Sequence, residues 1–206
     1  MPNGDPIRFD DDDLVPCVAQ DANTGEVLTL AFMNADALRL TRESGEVHFW
    51  SRSRQELWRK GETSGNVLRL KQLRYDCDAD AIVALVEPNG PACHTGARSC
   101  FFREYESGEE PKPGTHEALA ALERTLHERQ SERPDGSYTV ELLDHPERIA
   151  DKVMEEAEEV TRAARQESGE RVASEAADVL YHLLVLLRSR DVSLAVVLEA
   201  LNGRRR

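Results

Sequence analysis

Residues 146–190 read PERIADKVMEEAEEVTRAARQESGERVASEAADVLYHLLVLLRSR, two long periodic runs separated by a short polar break. Val153, Ala157, Val160 and Ala164 recur at helical spacing, and so do Val172, Ala176, Val179 and Leu183. Helices over 146–166 and 171–190 are therefore expected to pack as an antiparallel pair, with Gly169 punctuating the hairpin. Glu156 and Glu159 lie three apart and share a face of the first helix, and Glu175 and Asp178 repeat that spacing on the second. Their carboxylates can then meet. Four clustered like charges are unfavourable unless cations neutralise them, which makes magnesium the natural occupant; an acidic solvated face would carry the same residues. Glu155 is a further ligand or a base, and Lys152 a phosphate contact or one half of a surface ion pair. His182, one turn after Asp178, orients that carboxylate or caps the core.

Helical spacing over 117–129 and 194–202 completes an all-α bundle in the C-terminal half. Upstream, 104–117 collects Gly, Pro and Glu without apolar periodicity, as a solvated linker does. The N-terminal half differs in character. It holds all four cysteines, strand-like runs over 27–32, 47–51, 67–75 and 81–86, and a short helix capped by Asn34 that ends near Gly45. The expected architecture is two domains, an α+β, mostly β metal-binding domain over 14–103 and a helical domain over 118–206, with 1–13 disordered.

The net charge of −13 argues against a nucleic-acid binder, since phosphate neutralisation needs a basic footprint. No run of 18 apolar residues suggests a membrane span, and the acidic start of the chain does not read as a signal sequence. A cytoplasmic protein with reduced thiols is expected. The charge is uneven, however: Arg52, Arg54, Arg59, Lys60, Arg69, Lys71 and Arg74 share one stretch with only two acids, Glu56 and Glu62, a candidate for anion binding or a solvated basic face.

Asp76, Asp78 and Asp80 alternate at the end of a strand-like run, and a period of two puts all three on one face. Hard oxygen ligands converging in this way suit magnesium, although a polar turn would use the same residues. Cys77, between them, would point the other way. With Cys93 and Cys100 it can supply three thiolates to a zinc ion whose fourth position is left for water, the arrangement of a catalytic site; Cys17 in the fourth position would make the zinc structural. Three thiolates leave the site negative, so a second activator is expected, and His94 is a candidate base or proton shuttle.

Four motifs in order, 49–54 (FWSRSR), 57–66 (LWRKGETSGN), 76–80 (DCDAD) and 93–102 (CHTGARSCFF), resemble the phosphoribosyl-AMP cyclohydrolase family over roughly 14–103. The resemblance implies zinc on Cys77, Cys93 and Cys100, shared across a homodimer, and magnesium on Asp76, Asp78 and Asp80. It also implies the reaction, attack of zinc-activated water on the purine carbon next to the ribosylated N1, opening the six-membered ring. The substrate's two phosphates need donors, for which Arg52, Lys60 and the Ser64-Gly65-Asn66 turn are candidates; Trp50 and Trp58 stack on the purine or pack the core.

The Glu-Glu-x-x-Glu and Glu-x-x-Asp segments, with 122–126 (LERTL), 133–139 (RPDGSYT) and 178–184 (DVLYHLL), resemble phosphoribosyl-ATP pyrophosphohydrolase over roughly 119–201. That implies magnesium on Glu156, Glu159, Glu175 and Asp178, gripping a triphosphate while water displaces pyrophosphate. Together the two resemblances imply consecutive steps of histidine biosynthesis, the second half making what the first consumes. The competing reading is a nucleotide pyrophosphatase with a zinc-stabilised interaction domain, in which Cys17 closes the zinc site.

Overall fold

A computed structural model describes residues 6–112 and 114–204, which form two compact units dividing after Lys112. The first is built on one six-stranded sheet: β1 (Val15–Asp21), β2 (Val27–Met33), β3 (His48–Ser51), β4 (Glu56–Arg59), β5 (Leu68–Tyr75) and β6 (Ile82–Pro88), in the order β4-β3-β2-β1-β6-β5. Only β1 and β6 run parallel. Helix α1 (Ala35–Ser44) crosses between β2 and β3. It starts where the Asn34 side chain accepts from the Ala37 N–H at 2.8 Å, and it stops at Gly45, whose φ of 72° lets its N–H close on the Thr41 carbonyl.

The pleat sorts the two faces of the sheet. Val15, Cys17 and Ala19 of β1 point inward with Leu28, Met33, Phe49, Leu68 and Val86, and α1 closes this core with Ala37 and Leu38. Full burial of each large side chain stabilises the unit by about 1.5–3 kcal/mol. On the opposite face Pro16 pairs with Phe32, and Val18 with Leu30 and Val83, yet all five remain half-buried or exposed, Leu30 at 47%.

Two strands escape the reading by pattern. β1 carries Pro16 and small residues that dilute its alternation, and β4 has only four residues. Residues 6–13 correct the expectation of disorder at the start of the chain. The Arg8 N–H donates to the Ala79 carbonyl at 2.7 Å, Asp10 Oδ1 accepts from the Asp12 and Leu14 N–H groups, and Ile7 and Phe9 pack on the core. Residues 1–5, part of the same expectation, lie outside the described residues.

The second unit is helical: α2 (Ala118–Glu132), α3 (Tyr138–Asp144), α4 (Pro146–Gln166), α5 (Gly169–Arg188) and α6 (Leu194–Asn202), after a single 3-10 turn at Thr115–Glu117. Leu126, Leu142, Ile149, Leu184 and Val185 form the core. α4 and α5 pack as the expected hairpin, with two corrections. Gly169 does not break the chain but is the first residue of α5, because the Ser168 hydroxyl caps the helix by accepting from the Arg171 N–H at 3.3 Å. On α4 the stripe through Val153, Ala157 and Val160 continues to Ala163, which is buried, and Ala164 is exposed: three residues on from Val160, rather than four, faces the core. No helix among the described residues is long and apolar enough to cross a membrane.

Candidate metal and nucleotide sites

The three aspartates converge, but not by the pleat. β5 ends at Tyr75, and 76–81 is a turn in which Asp76 Oδ1 accepts from the Asp80 N–H at 3.0 Å and the Ala81 N–H at 3.2 Å. Ala79 takes a left-handed φ of 64° to complete it. Carboxylate oxygens of Asp76, Asp78 and Asp80 consequently lie within 4.8 Å of one another, all exposed. Burial works against the Asp76 charge, but the two N–H bonds outweigh it and hold the carboxyl below its ordinary range. Asp80 is pushed the other way, first by the charge of Asp78 and then by burial and Asp76, with Arg8 opposing. An oxygen cluster with this mutual repulsion fits a hard divalent cation that keeps part of its water shell.

Of the four cysteines, the fold brings Cys93 and Cys100 together. Cys93 is buried, and the Thr95 hydroxyl donates to its Sγ at 3.2 Å. That bond, with the Thr95 N–H, holds the Cys93 thiol below its ordinary value, while burial raises Cys100 against the opposing effect of Thr29. Cys77 is exposed on the aspartate turn, 3.9 Å from Asp78 Oδ1, and among the described residues it does not join the other two thiols in a ligand group. Cys17 lies apart from this pair, in the sheet core. It sits on β1 between Ala31 and Ile82, fully buried, its thiol pushed up to about 12 by desolvation. His94 adjoins the pair, with Nδ1 3.9 Å from Cys93 Sγ.

Beside these thiols opens a cavity of about 370 Å³, lined by Trp58, Lys60, Gly61, Ser64, Asn66, Cys93 and His94 among others. Its loop needs glycine at 61, where φ is 87° and a Cβ would lie 2.4 Å from the Asn66 backbone. Trp58 both packs on Phe49, 5.5 Å between ring centroids, and faces the cavity beneath Lys60. Gly65 shapes the turn without lining the space; its carbonyl accepts from Asn89 Nδ2 at 3.2 Å. Arg52 also lies outside the lining, its guanidinium 3.9 Å over the Phe32 ring. Arg54 and Arg59, members of the same basic stretch, line the cavity in its place, together with Gly96 of the 93–102 motif.

In the helical unit, oxygens of Glu156, Glu175 and Asp178 lie within 4.8 Å of one another. Glu159 is turned toward Arg162, 3.1 Å away, whose hydrogen bond holds it below the ordinary carboxylate range. Glu175 is only 2% exposed, and burial raises its carboxyl, with Arg171 opposing. Arg171 ion-pairs with Glu175 Oε1 without forming a hydrogen bond, so among the described residues this buried oxygen has no donor. A buried carboxylate oxygen left without a hydrogen bond among like charges suits a cation. Arg171 itself was legible as the i,i+4 partner of Glu175. Glu155 is exposed and paired with Lys152 at 2.8 Å, and Lys152 also lies 3.6 Å from Glu156. His182 is buried; its Nδ1 meets the backbone carbonyl of Asp178 at 2.9 Å, not the carboxylate, and its Nε2 meets the Tyr138 hydroxyl at 3.2 Å.

Residues 29–102 match the family model described as phosphoribosyl-AMP cyclohydrolase, and residues 119–205 match phosphoribosyl-ATP pyrophosphohydrolase. The chain is 50% identical over 205 residues to "Histidine biosynthesis bifunctional protein HisIE" of Bacillus subtilis (strain 168), covering 99% of this chain and 97% of that protein. It is 47% identical over 209 residues to the protein of the same description from Halalkalibacterium halodurans, covering 99% and 98%, and 49% identical over 201 residues to that of Gloeobacter violaceus, covering 97% and 90%.

Proposed function

Because the chain belongs to the phosphoribosyl-AMP cyclohydrolase and phosphoribosyl-ATP pyrophosphohydrolase families and is a bifunctional enzyme of histidine biosynthesis, we propose that its two carboxylate clusters and its thiol pair are the reaction centres. The buried Oε1 of Glu175, which has an ion pair with Arg171 but no hydrogen bond, among two further carboxylates carries the assignment in the helical unit. Magnesium held by Glu156, Glu175 and Asp178, with Glu159 released from Arg162, would neutralise the triphosphate of phosphoribosyl-ATP. Lys152 stands where it can meet a phosphate once it leaves Glu155. Glu155, exposed beside the cluster, can accept a proton from the water that displaces pyrophosphate.

In the sheet unit the cavity beside Cys93 takes phosphoribosyl-AMP. Lys60 and the Ser64–Asn66 turn supply cation and N–H donors to its phosphate, and Trp58 offers a flat apolar wall. Zinc on Cys93, Cys100 and the Cys77 of a second copy would lower the pKa of the attacking water, with magnesium on Asp76, Asp78 and Asp80 adding positive charge. His94 stands beside Cys93 to carry the proton to the leaving nitrogen. Lys60→Ala should raise the KM for phosphoribosyl-AMP about tenfold with little change in kcat, the loss of one charge-assisted contact. Steady-state kinetics of ring opening, followed by absorbance, measure it.

Two observations support a homodimer with shared sites. Cys77 is set apart from the other two thiols, and the sheet face bearing Pro16, Val18, Leu30, Phe32 and Val83 is apolar and incompletely covered. A direct test mixes Cys77→Ala with Cys93→Ala protein after subunit exchange. Each is inactive in ring opening alone, and the mixture should recover about a quarter of the wild-type rate, since half the dimers are hybrids with one of two sites intact. No recovery from an exchanged mixture would mean that each site is built within one chain. With free thiols throughout and magnesium-dependent chemistry, the site of action is the cytoplasm.

A further inference from the structure

The loop bearing two of the thiols is held by a charge cluster that has no part in either reaction as described above. Arg98 lies between Cys93 and Cys100, and its guanidinium pairs through Nη2 with Asp21 and through Nε with Glu26. Asp21 is buried at the end of β1, and its Oδ1 accepts from the Asn23 N–H at 2.9 Å and the Thr24 N–H at 3.4 Å. That carboxylate is therefore fixed by the β1–β2 turn independently of Arg98. Around the guanidinium the loop closes on itself and on β2. The Ala92 N–H donates to the Arg98 carbonyl and the Cys93 N–H to the Ala97 carbonyl, both at 3.0 Å; the Ser99 hydroxyl donates to the Val27 carbonyl at 2.7 Å and the Cys100 N–H to that of Leu28 at 2.8 Å. Each thiol thus follows the backbone on one side of Arg98.

We propose that Arg98, clamped by Asp21 and Glu26, is a positioning residue that sets the spacing of Cys93 and Cys100 for a soft divalent metal. The assignment rests on the zinc reading given above. Two thiolates repel until the metal arrives, so their approach must be imposed by something else. A planar guanidinium can engage two carboxylates at once in fixed directions, and an ammonium cannot reproduce that fork. Its charge also balances the buried Asp21, which left unpaired would be costly. Nothing local in the sequence signals the pairing, since Arg98 and Asp21 are 77 residues apart.

The test uses the full chain, stripped of metal. Cobalt(II) alone is added and its thiolate charge-transfer and d–d bands recorded; zinc affinity is then measured by competition with a chromophoric chelator. Arg98→Met should weaken zinc binding about 10- to 100-fold, as loss of an outer-shell support typically does, and Arg98→Lys should restore part of it. Glu26→Gln removes one arm and leaves buried Asp21 paired, so it should weaken binding severalfold with an unchanged far-UV circular dichroism spectrum. Pyrophosphate release by the helical unit reports that this unit is intact in each variant, and the circular dichroism spectrum reports on the sheet unit. Zinc affinity equal to wild type in Arg98→Met overturns the proposal. So does an unfolded Arg98→Met accompanied by a Glu26→Gln that binds zinc normally. A chain with unaltered thiols that shows no thiolate–cobalt bands instead removes the zinc reading, and the proposal with it.

Discussion

Glu175→Gln should lower pyrophosphate release from phosphoribosyl-ATP about 10³-fold while leaving the opening of supplied phosphoribosyl-AMP at the wild-type rate. The substitution conserves volume, so the α4–α5 packing around a residue that is only 2% exposed is kept. What it removes is one negative charge from a cluster whose oxygens sit within 4.8 Å of one another. Glutamine presents a neutral oxygen and a donor amide where the cation needs an anion, and losing several kcal/mol of charge stabilisation in the transition state corresponds to a rate loss of that order. The folded chain should not suffer. The like charges of Glu159 and Asp178 that raise Glu175 are relieved, and the ion pair given up with Arg171 involves a half-exposed guanidinium. A coupled pyrophosphate assay beside a thermal melt separates the effects. A variant that melts normally and still releases pyrophosphate at more than a tenth of the wild-type rate would remove Glu175 from the centre.

How much of this was legible beforehand depends on how local the causes are. The α4–α5 hairpin and its acidic pairs follow from 3.6-residue periodicity, which reads over twenty residues with little competition. Tyr138–Asp144 is too short for that signal and went unread, although its Tyr138 reaches His182. The aspartates were correctly grouped on wrong grounds. Period two placed them on a strand face, whereas Asp76 folds its own turn by accepting from two N–H groups, and the carboxylates meet as a consequence. Cys17 and Cys93 look alike in sequence. Only the fold shows one thiol sealed between strands, its charge disfavoured by desolvation, and the other facing a cavity with a hydroxyl donor at its sulfur. Contacts such as Arg98 with Asp21 and Glu26 join segments that no short window contains.

That contrast between the thiols carries the second large effect. Cys93→Ala should lower ring opening about 10³-fold or more, with pyrophosphate release unchanged, so that phosphoribosyl-AMP accumulates in step with pyrophosphate when phosphoribosyl-ATP is supplied. The Cys93 thiol is held below its ordinary range, because the Thr95 hydroxyl and N–H both stabilise its charge. Alanine at 93 leaves Cys100 without the neighbouring sulfur, so one chain no longer offers a pair of thiol donors. The small loss of volume falls at the cavity wall rather than in the sheet core, which limits any cost in stability. Cys17→Ala makes the opposite change, a core truncation on β1 at a residue that does not line the cavity. It should lower the melting temperature and leave both reactions running. Separate detection of pyrophosphate and of the opened ring in the two variants decides between them: ring opening that survives in Cys93→Ala, or is lost in Cys17→Ala, would place the metal-binding thiols elsewhere.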